Sequence, residues 1–191
     1  MRKLSFVIFI LLMHYAATAQ RAVTNEYVVK NSSDTLTGNV SVNMLLGRYH
    51  VVVKNGKGNK EKFALEEIKA VRYSDKVYWS RNVNPGKDKK VLLLLLEDGK
   101  IKVVGREKTT APQAVPGPGG SGVVMVGGMH KMIKDYYVQL DNNFFLVSKA
   151  SFENNVLPYL SKCSDFNSNY TRKRKYKRFM DMIQVYNRSC H

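Results

Sequence analysis

Cations clustered near the C-terminus are the residues in this sequence best suited to binding chemistry. Six Lys and Arg side chains fall within seven positions: Arg172, Lys173, Arg174, Lys175, Lys177 and Arg178. Apolar residues follow at helical spacing, namely Phe179, Met180 and Ile183. The pattern predicts a helix over 171–188 whose apolar stripe packs on the protein's own sheet while the cations face water. The alternative is an amphipathic helix that binds anionic surfaces.

A second group of potential ligands precedes the last predicted strands. Met125, Met129, His130 and Met132 offer thioether and imidazole groups, which suit Cu(I). Soft ligands alone do not define a metal site, and methionines commonly fill apolar gaps. We therefore predict no metal and no cofactor, and keep these four residues as the candidates should a metal bind.

Residues that perform catalysis are sparse. Beyond the N-terminal region the histidines are His50, His130 and His191, and motifs of the His-Glu-x-x-His, Gly-x-Ser-x-Gly and phosphate-loop types are missing. Adjacent Glu66 and Glu67 would point to opposite faces of a strand, so they could not act as a paired acid and base. We predict a protein that is not an enzyme; the alternative is a small hydrolase with an unrecognised site.

Two cysteines, Cys163 and Cys190, lie near the C-terminus. In an oxidising compartment this even number predicts a disulfide, which would stabilise the fold by roughly 3–4 kcal/mol. The alternative is a pair of buried thiols. The spacing differs from Cys-x-x-Cys, which argues against redox catalysis.

Residues 1–19 have the layout of a secretory signal peptide. A basic start at residues 2–3 precedes an apolar run at 4–13, which is short for a membrane span. Small residues at 17 and 19 suit cleavage before Gln20. We expect an exported protein, periplasmic or outer-membrane-associated or extracellular, with no transmembrane span after cleavage.

The charge balance is strongly basic, with 31 Lys and Arg against 15 Asp and Glu and a net charge of +16. Such an excess favours anionic partners. Export makes nucleic acid an unexpected partner, so we expect an anionic envelope polymer, a lipid surface or a partner protein. The alternative is a basic character without a specific partner.

Residues 20–149 predict an antiparallel β domain. Short runs of β-branched and aromatic residues alternate with turn signals, and a single strand is expected over 35–42. Asn55-Gly56 and Asp98-Gly99 indicate hairpins, the first with a type I′ turn. The unbroken apolar run at 91–96 predicts a central strand covered on both faces. The expected fold class is mainly β (α+β): an antiparallel sheet, barrel-like or sandwich-like, with a short helical C-terminus.

Two further segments differ from this pattern. Residues 108–128 are rich in Gly and Pro, which predicts a flexible loop. Residues 150–191 predict helices that pack on the β domain. Ser151 is the expected N-cap of the first, and Pro158 should kink or split it.

Short motifs along the chain make it similar to a known group of proteins. These are Asp34-Thr35-Leu36-Thr37-Gly38, the Leu-rich run into Asp98-Gly99, Asp135-Tyr136-Tyr137-Val138, Cys163, and Tyr186-Asn187-Arg188-Ser189-Cys190. With the Ala-Thr-Ala-Gln cleavage site, they resemble a family of uncharacterised secreted proteins from Bacteroidota. The resemblance spans most of the mature chain and implies an exported, β-rich protein with a helical C-terminus, without implying an activity.

These observations predict an exported, non-enzymatic envelope protein that serves as an interaction or structural module. One alternative is binding of anionic lipid, lipopolysaccharide or acidic glycan through the basic C-terminal helix. The other is an unrecognised small hydrolase.

Overall fold

The computed structural model describes residues 25–45, 48–84, 86, 89–110, 113–116, 123–126 and 130–190. The predicted signal peptide, Met129 and His191 lie outside the described residues. Within them the chain is mainly β, and short helices follow the last strand.

The strands are short and follow one another closely. In chain order they are β1 (Tyr27–Lys30), β2 (Thr35–Thr37), β3 (Asn39–Leu45), β4 (Arg48–Lys54), β5 (Lys60–Ala64), β6 (Ile68–Tyr73), β7 (Lys76–Asn82), β8 (Lys90–Asp98), β9 (Ile101–Thr110), β10 (Gln113–Pro116), β11 (Val123–Val126), β12 (His130–Leu140) and β13 (Asn143–Leu146). The helices are α1 (Lys149–Ser151), α2 (Leu157–Ser161), α3 (Ser164–Asn169) and α4 (Phe179–Ser189). A π-helical segment, Phe152–Val156, joins α1 to α2, and a 3-10 turn, Leu65–Glu67, joins β5 to β6.

Eight of these strands form one antiparallel sheet in the order β13-β12-β9-β8-β7-β6-β1-β2. The order is linear, so the described strands do not close into a barrel. The predicted central strand is confirmed: β8 pairs on both sides, and its apolar residues pack on both faces of the sheet. Leu93 is fully buried there.

A second, three-stranded sheet, β3-β4-β5, covers one end of the large sheet. Val40, Val51 and Val53 from the small sheet pack against Val28 and Val71 from the large one. Burial of these β-branched side chains between two sheets gives this end the predicted sandwich-like packing.

The helices cover the other end of the same sheet face. Ile101, Val103 and Val138 from the strands meet Phe152, Leu160, Phe166 and Ile183 from the helical segment, all buried in one cluster. The predicted packing of a helical C-terminus on the β domain therefore has a hydrophobic core as its physical basis.

The opposite sheet face carries its own apolar cluster. Leu93, Val104 and Tyr137 are buried there, and Trp79 and Phe144 pack against them. Trp79 lies on β7 and Phe144 on β13, four positions away in the strand order, so the sheet curves around this cluster. Coiling lets side chains of one sheet bury one another.

Two predictions about the strands and their turns are wrong in detail. The strand expected over 35–42 is divided at Gly38, where a Cβ atom would lie 2.5 Å from the Lys54 carbonyl oxygen. The Asn55-Gly56 turn is not a two-residue type I′ turn. The connection runs from Asn55 to Asn59, and it is Gly58 that adopts a positive φ, of 86°.

The predicted flexible loop at 108–128 is wrong where this segment is described. Strand β9 continues to Thr110, and β10 pairs with β11 as an antiparallel hairpin in which Ala114 faces Met125. Four valines in these two short strands favour strand pairing, and Pro116 lies at the end of β10. Residues 111–112, 117–122 and 127–128 lie outside the described residues.

The helical segment also begins earlier than predicted. Ser148, not Ser151, is the N-cap: its hydroxyl accepts a hydrogen bond from the Ser151 N–H, 3.1 Å away. Pro158 lies just after the π-helical segment, at the start of α2. Proline has no N–H for the usual i−4 bond, so a change of helix type before Pro158 fits the predicted division.

Candidate functional site

The basic segment, defined here as residues 172–178, is not helical along most of its length. Lys175 has extended backbone angles, φ −115° and ψ 145°, and Tyr176–Arg178 forms a 3-10 turn before α4 begins at Phe179. The predicted helix over 171–188 is therefore wrong at its N-terminal half. Cations at a helix N-terminus oppose the helix dipole, which is consistent with a helix that begins after them.

The apolar stripe of α4 faces the protein's own core. Phe179, Met182, Ile183 and Tyr186 are buried against the sheet and the preceding helices. The expected arrangement, in which the stripe packs internally while the cations face water, is the one observed. In this structure the apolar stripe is therefore covered, and only the cations are presented to solvent.

Two of the six cations hold the segment in place. Arg174 donates hydrogen bonds to the Asn167 side chain at 2.6 Å and to the Ser161 hydroxyl at 3.2 Å. Its guanidinium also lies over the Phe166 ring, 5.2 Å from the centroid. Arg172 is 3.8 Å from the Asp181 carboxylate. These contacts fix the path of the chain.

The other four cations, Lys173, Lys175, Lys177 and Arg178, are exposed. No carboxylate of the described residues lies within 4.0 Å of their charged groups. Clustered charges without internal partners raise the local positive potential and can bind an external anion. The structure thus separates the predicted anion-binding residues into two that position the segment and four that are available.

The predicted disulfide between Cys163 and Cys190 is present, with a Cα–Cα distance of 6.3 Å. It joins the start of α3 to the end of α4, so the basic segment lies inside a covalently closed loop. The Cys163 sulfur also accepts a hydrogen bond from the Phe166 N–H at 3.4 Å.

Met125, His130 and Met132 of the predicted metal-ligand group lie on two strands. Met125 lies on β11 opposite Ala114, His130 begins β12, and Met132, opposite Lys108, is 62% exposed. Met129 and the side chain of His130 fall outside what the structure describes. Among the described residues, no group of three or more His, Cys, Asp or Glu side chains is placed to hold a metal ion.

A half-buried ion-pair cluster surrounds Glu107 on β9. Its carboxylate accepts hydrogen bonds from the Tyr78 hydroxyl at 3.1 Å and from Lys76 at 3.3 Å, and Lys131 lies 3.8 Å away. Burial, together with the negative charge of Glu107 and the neighbouring Tyr73, raises the pKa of Tyr78. The two lysines more than offset the single Glu107 charge. The contacts link β9 to β7 and β12, which explains the cluster as a connection between strands.

Sequence reasoning missed a cleft in the large sheet. A cavity of about 620 Å³ is lined by Asn31, Lys69, Ser80, Arg81, Asn82, Lys90, Gln139, Asn142 and Phe144. Its cations come from three neighbouring strands, Lys69 from β6, Arg81 from β7 and Lys90 from β8. These three residues form no local motif in the sequence. Their proximity can be known only from the pairing of β6, β7 and β8, which the sequence analysis did not provide.

No family model, curated protein or solved structure matches the chain. Within the described residues, none of the helices has the length and apolar character needed to cross a membrane.

Proposed function

We propose that this protein is an exported, non-enzymatic binding module that contacts an anionic envelope polymer through the basic segment. The observation that carries the proposal is the exposure of Lys173, Lys175, Lys177 and Arg178 without carboxylate partners among the described residues. Polymers with repeated phosphate or carboxylate groups would match a row of cations.

The segment is suited to binding because it is already ordered. The Tyr176 hydroxyl donates to the Val147 carbonyl at 3.3 Å, and Arg174 contacts Asn167 and Phe166. The disulfide closes the loop around it. A pre-ordered surface loses less conformational entropy when a ligand binds, which favours affinity.

Export is part of the proposal. The signal-peptide layout of residues 1–19 supports it, and a disulfide is stable in oxidising compartments outside the cytoplasm. The resemblance to secreted proteins of Bacteroidota agrees with the same location. We further propose that the protein has no catalytic role and uses no cofactor.

The test is a binding measurement with two charge-matched variants. One replaces the four available cations: Lys173→Gln, Lys175→Gln, Lys177→Gln and Arg178→Gln. The control replaces four exposed lysines of the β4–β5 hairpin: Lys54→Gln, Lys57→Gln, Lys60→Gln and Lys62→Gln. Each variant loses four positive charges, so net charge alone cannot separate them.

Polygalacturonate and polyphosphate serve as polymer probes, and phosphatidylglycerol vesicles serve as the lipid surface. We expect the basic-segment variant to bind the polymers at least tenfold more weakly, and the control to stay within about twofold. Binding should weaken steeply with added salt. Equal losses in both variants, tighter binding to vesicles than to either polymer, or no binding by the wild type would contradict the proposal.

A further inference from the structure

We propose that the cleft lined by Lys69, Arg81 and Lys90 is a separate binding site for a small acidic sugar. This inference does not rest on the basic segment, which lies on the helical side of the molecule. It follows from the charges, amides and shape of the cleft.

All three residues line one cavity, and its lining contains no Asp or Glu residue. An uncompensated group of like charges is electrostatically unfavourable unless an anion joins it. A carboxylate or phosphate bound among them would form charge-assisted hydrogen bonds, which are about twice as strong as neutral ones.

Arg81 is the best-placed anion ligand of the three. Its guanidinium lies over the Trp79 ring, 5.2 Å from the centroid. No carboxylate of the described residues lies within 4.0 Å of it. A guanidinium carries paired N–H groups whose geometry suits a carboxylate.

The two lysines are anchored but retain further donors. The Lys69 ammonium donates to the Ser33 hydroxyl at 2.7 Å, and the Lys90 ammonium donates to the Glu66 carbonyl at 3.1 Å. An ammonium group has three N–H donors, so each lysine can also bond to a ligand. Lys90 and its anchor Glu66 also line a second cavity, so Arg81 and Lys69 are the two cations substituted in the test below.

The remaining lining suits the polyol part of a sugar. Asn31, Gln139 and Asn142 bring side-chain amides, which donate to and accept from hydroxyl groups. Phe144 adds an apolar ring against which the C–H face of a pyranose can pack. The volume of about 620 Å³ lies in the range of small-molecule sites.

Titration calorimetry and NMR with galacturonate, its dimer, galactose and inorganic phosphate test the proposal. The cleft variant is Arg81→Gln with Lys69→Gln, and its charge-matched control is Lys57→Gln with Lys62→Gln. We expect saturable binding of galacturonate or its dimer, a Kd at least tenfold higher in the cleft variant, and little change in the control. Thermal unfolding shows whether each variant is folded.

The basic-segment variant described above should bind galacturonate as the wild type does, which separates this site from the proposed polymer contact. Galactose binding as tightly as galacturonate would overturn the role of the cations. Phosphate binding as tightly as galacturonate would overturn the sugar assignment. A lack of binding by the wild type, or an unchanged Kd in the cleft variant, would overturn the site itself.

Discussion

At the residue scale, Asn187 joins the last helix to the sheet through both ends of its side-chain amide. Its carbonyl oxygen accepts from the Ile101 N–H at 2.9 Å, and its amide nitrogen donates to the Ile101 carbonyl at 2.8 Å. Gly99 leaves space for this contact, because a Cβ atom there would lie 2.4 Å from the Asn187 side chain. One side chain therefore links α4 to the β8–β9 turn.

We expect Asn187→Ala to lower the free energy of unfolding by roughly 1–3 kcal/mol, because it leaves both Ile101 polar groups without this partner. Urea denaturation measures the change. Asn169→Ala is the control, since that amide makes an exposed bond to Ser189 at 3.2 Å, and its removal should cost less than about 0.5 kcal/mol. Equal losses in the two variants would show that the paired bonds of Asn187 to Ile101 contribute no more stability than one exposed side-chain bond.

The raised pKa of the Tyr159 side chain predicts a loss of folding stability at alkaline pH. Burial, reinforced by its 3.0 Å hydrogen bond to the Asp141 carboxylate, raises the pKa of Tyr159 from 10.0 to about 12. Because the folded state favours the neutral phenol, this contribution is complete below pH 10.0 and is lost as the pH rises to about 12.

Urea denaturation at a series of pH values checks this, with Tyr159→Phe as the comparison. The variant should be less stable than the wild type at neutral pH, because it lacks the bond to Asp141. It should also lose less stability as the pH rises through this window. Tyr78 and Tyr137, whose pKa values are raised chiefly by burial, remain in both proteins. Parallel pH profiles would contradict the assignment to Tyr159.

At the element scale, the disulfide constrains the helical segment rather than the sheet. Replacing both cysteines, as Cys163→Ala with Cys190→Ala, should lower the free energy of unfolding by about 3 kcal/mol, mainly because the unfolded chain gains freedom. Urea denaturation of the variant and of the reduced wild type should give similar losses. A variant as stable as the oxidised wild type would refute this role.

The sequence patterns predicted elements better than their ends. Hairpin signals and β-branched runs located most strands, as at Asp98-Gly99, because local chemistry controls these turns. The N-cap was misplaced by three residues because Ser148 and Ser151 are both good caps, and only the observed path decides between them. The predicted helix over 171–188 was too long at its N-terminus. Apolar spacing alone does not include the unfavourable interaction of the preceding cations with the helix dipole.

The candidate sites were predictable to different degrees. Adjacent cations marked the basic segment directly, but the loss of Arg172 and Arg174 to internal contacts depends on tertiary packing. The cleft gave no signal, since Lys69, Arg81 and Lys90 become neighbours only through the pairing of three strands. Register is a property of the whole sheet rather than of any short window.

At the scale of the whole molecule, the proposed export makes two predictions for the expressed chain. Fractionation and intact-mass analysis should find a protein outside the cytoplasm that begins at Gln20. Its mass should rise by two hydrogens on reduction, because one disulfide opens. Ala19→Arg should leave an uncut precursor, because the cleavage site requires a small residue there. Cleaved Ala19→Arg protein, or free thiols in the wild type, would contradict this route.

The edges of the large sheet limit how this protein can associate with copies of itself. Unpaired edge strands are templates that can recruit another chain into a growing sheet. Here the terminal strands are short, since β2 has three residues and β13 has four. An incoming strand could form few main-chain hydrogen bonds with β2 or with β13 before its register ended. The longer opening is on β12, because residues 130–135 extend beyond β13 and pair only with β9 among the described strands, so this stretch is where a second chain would add to the sheet.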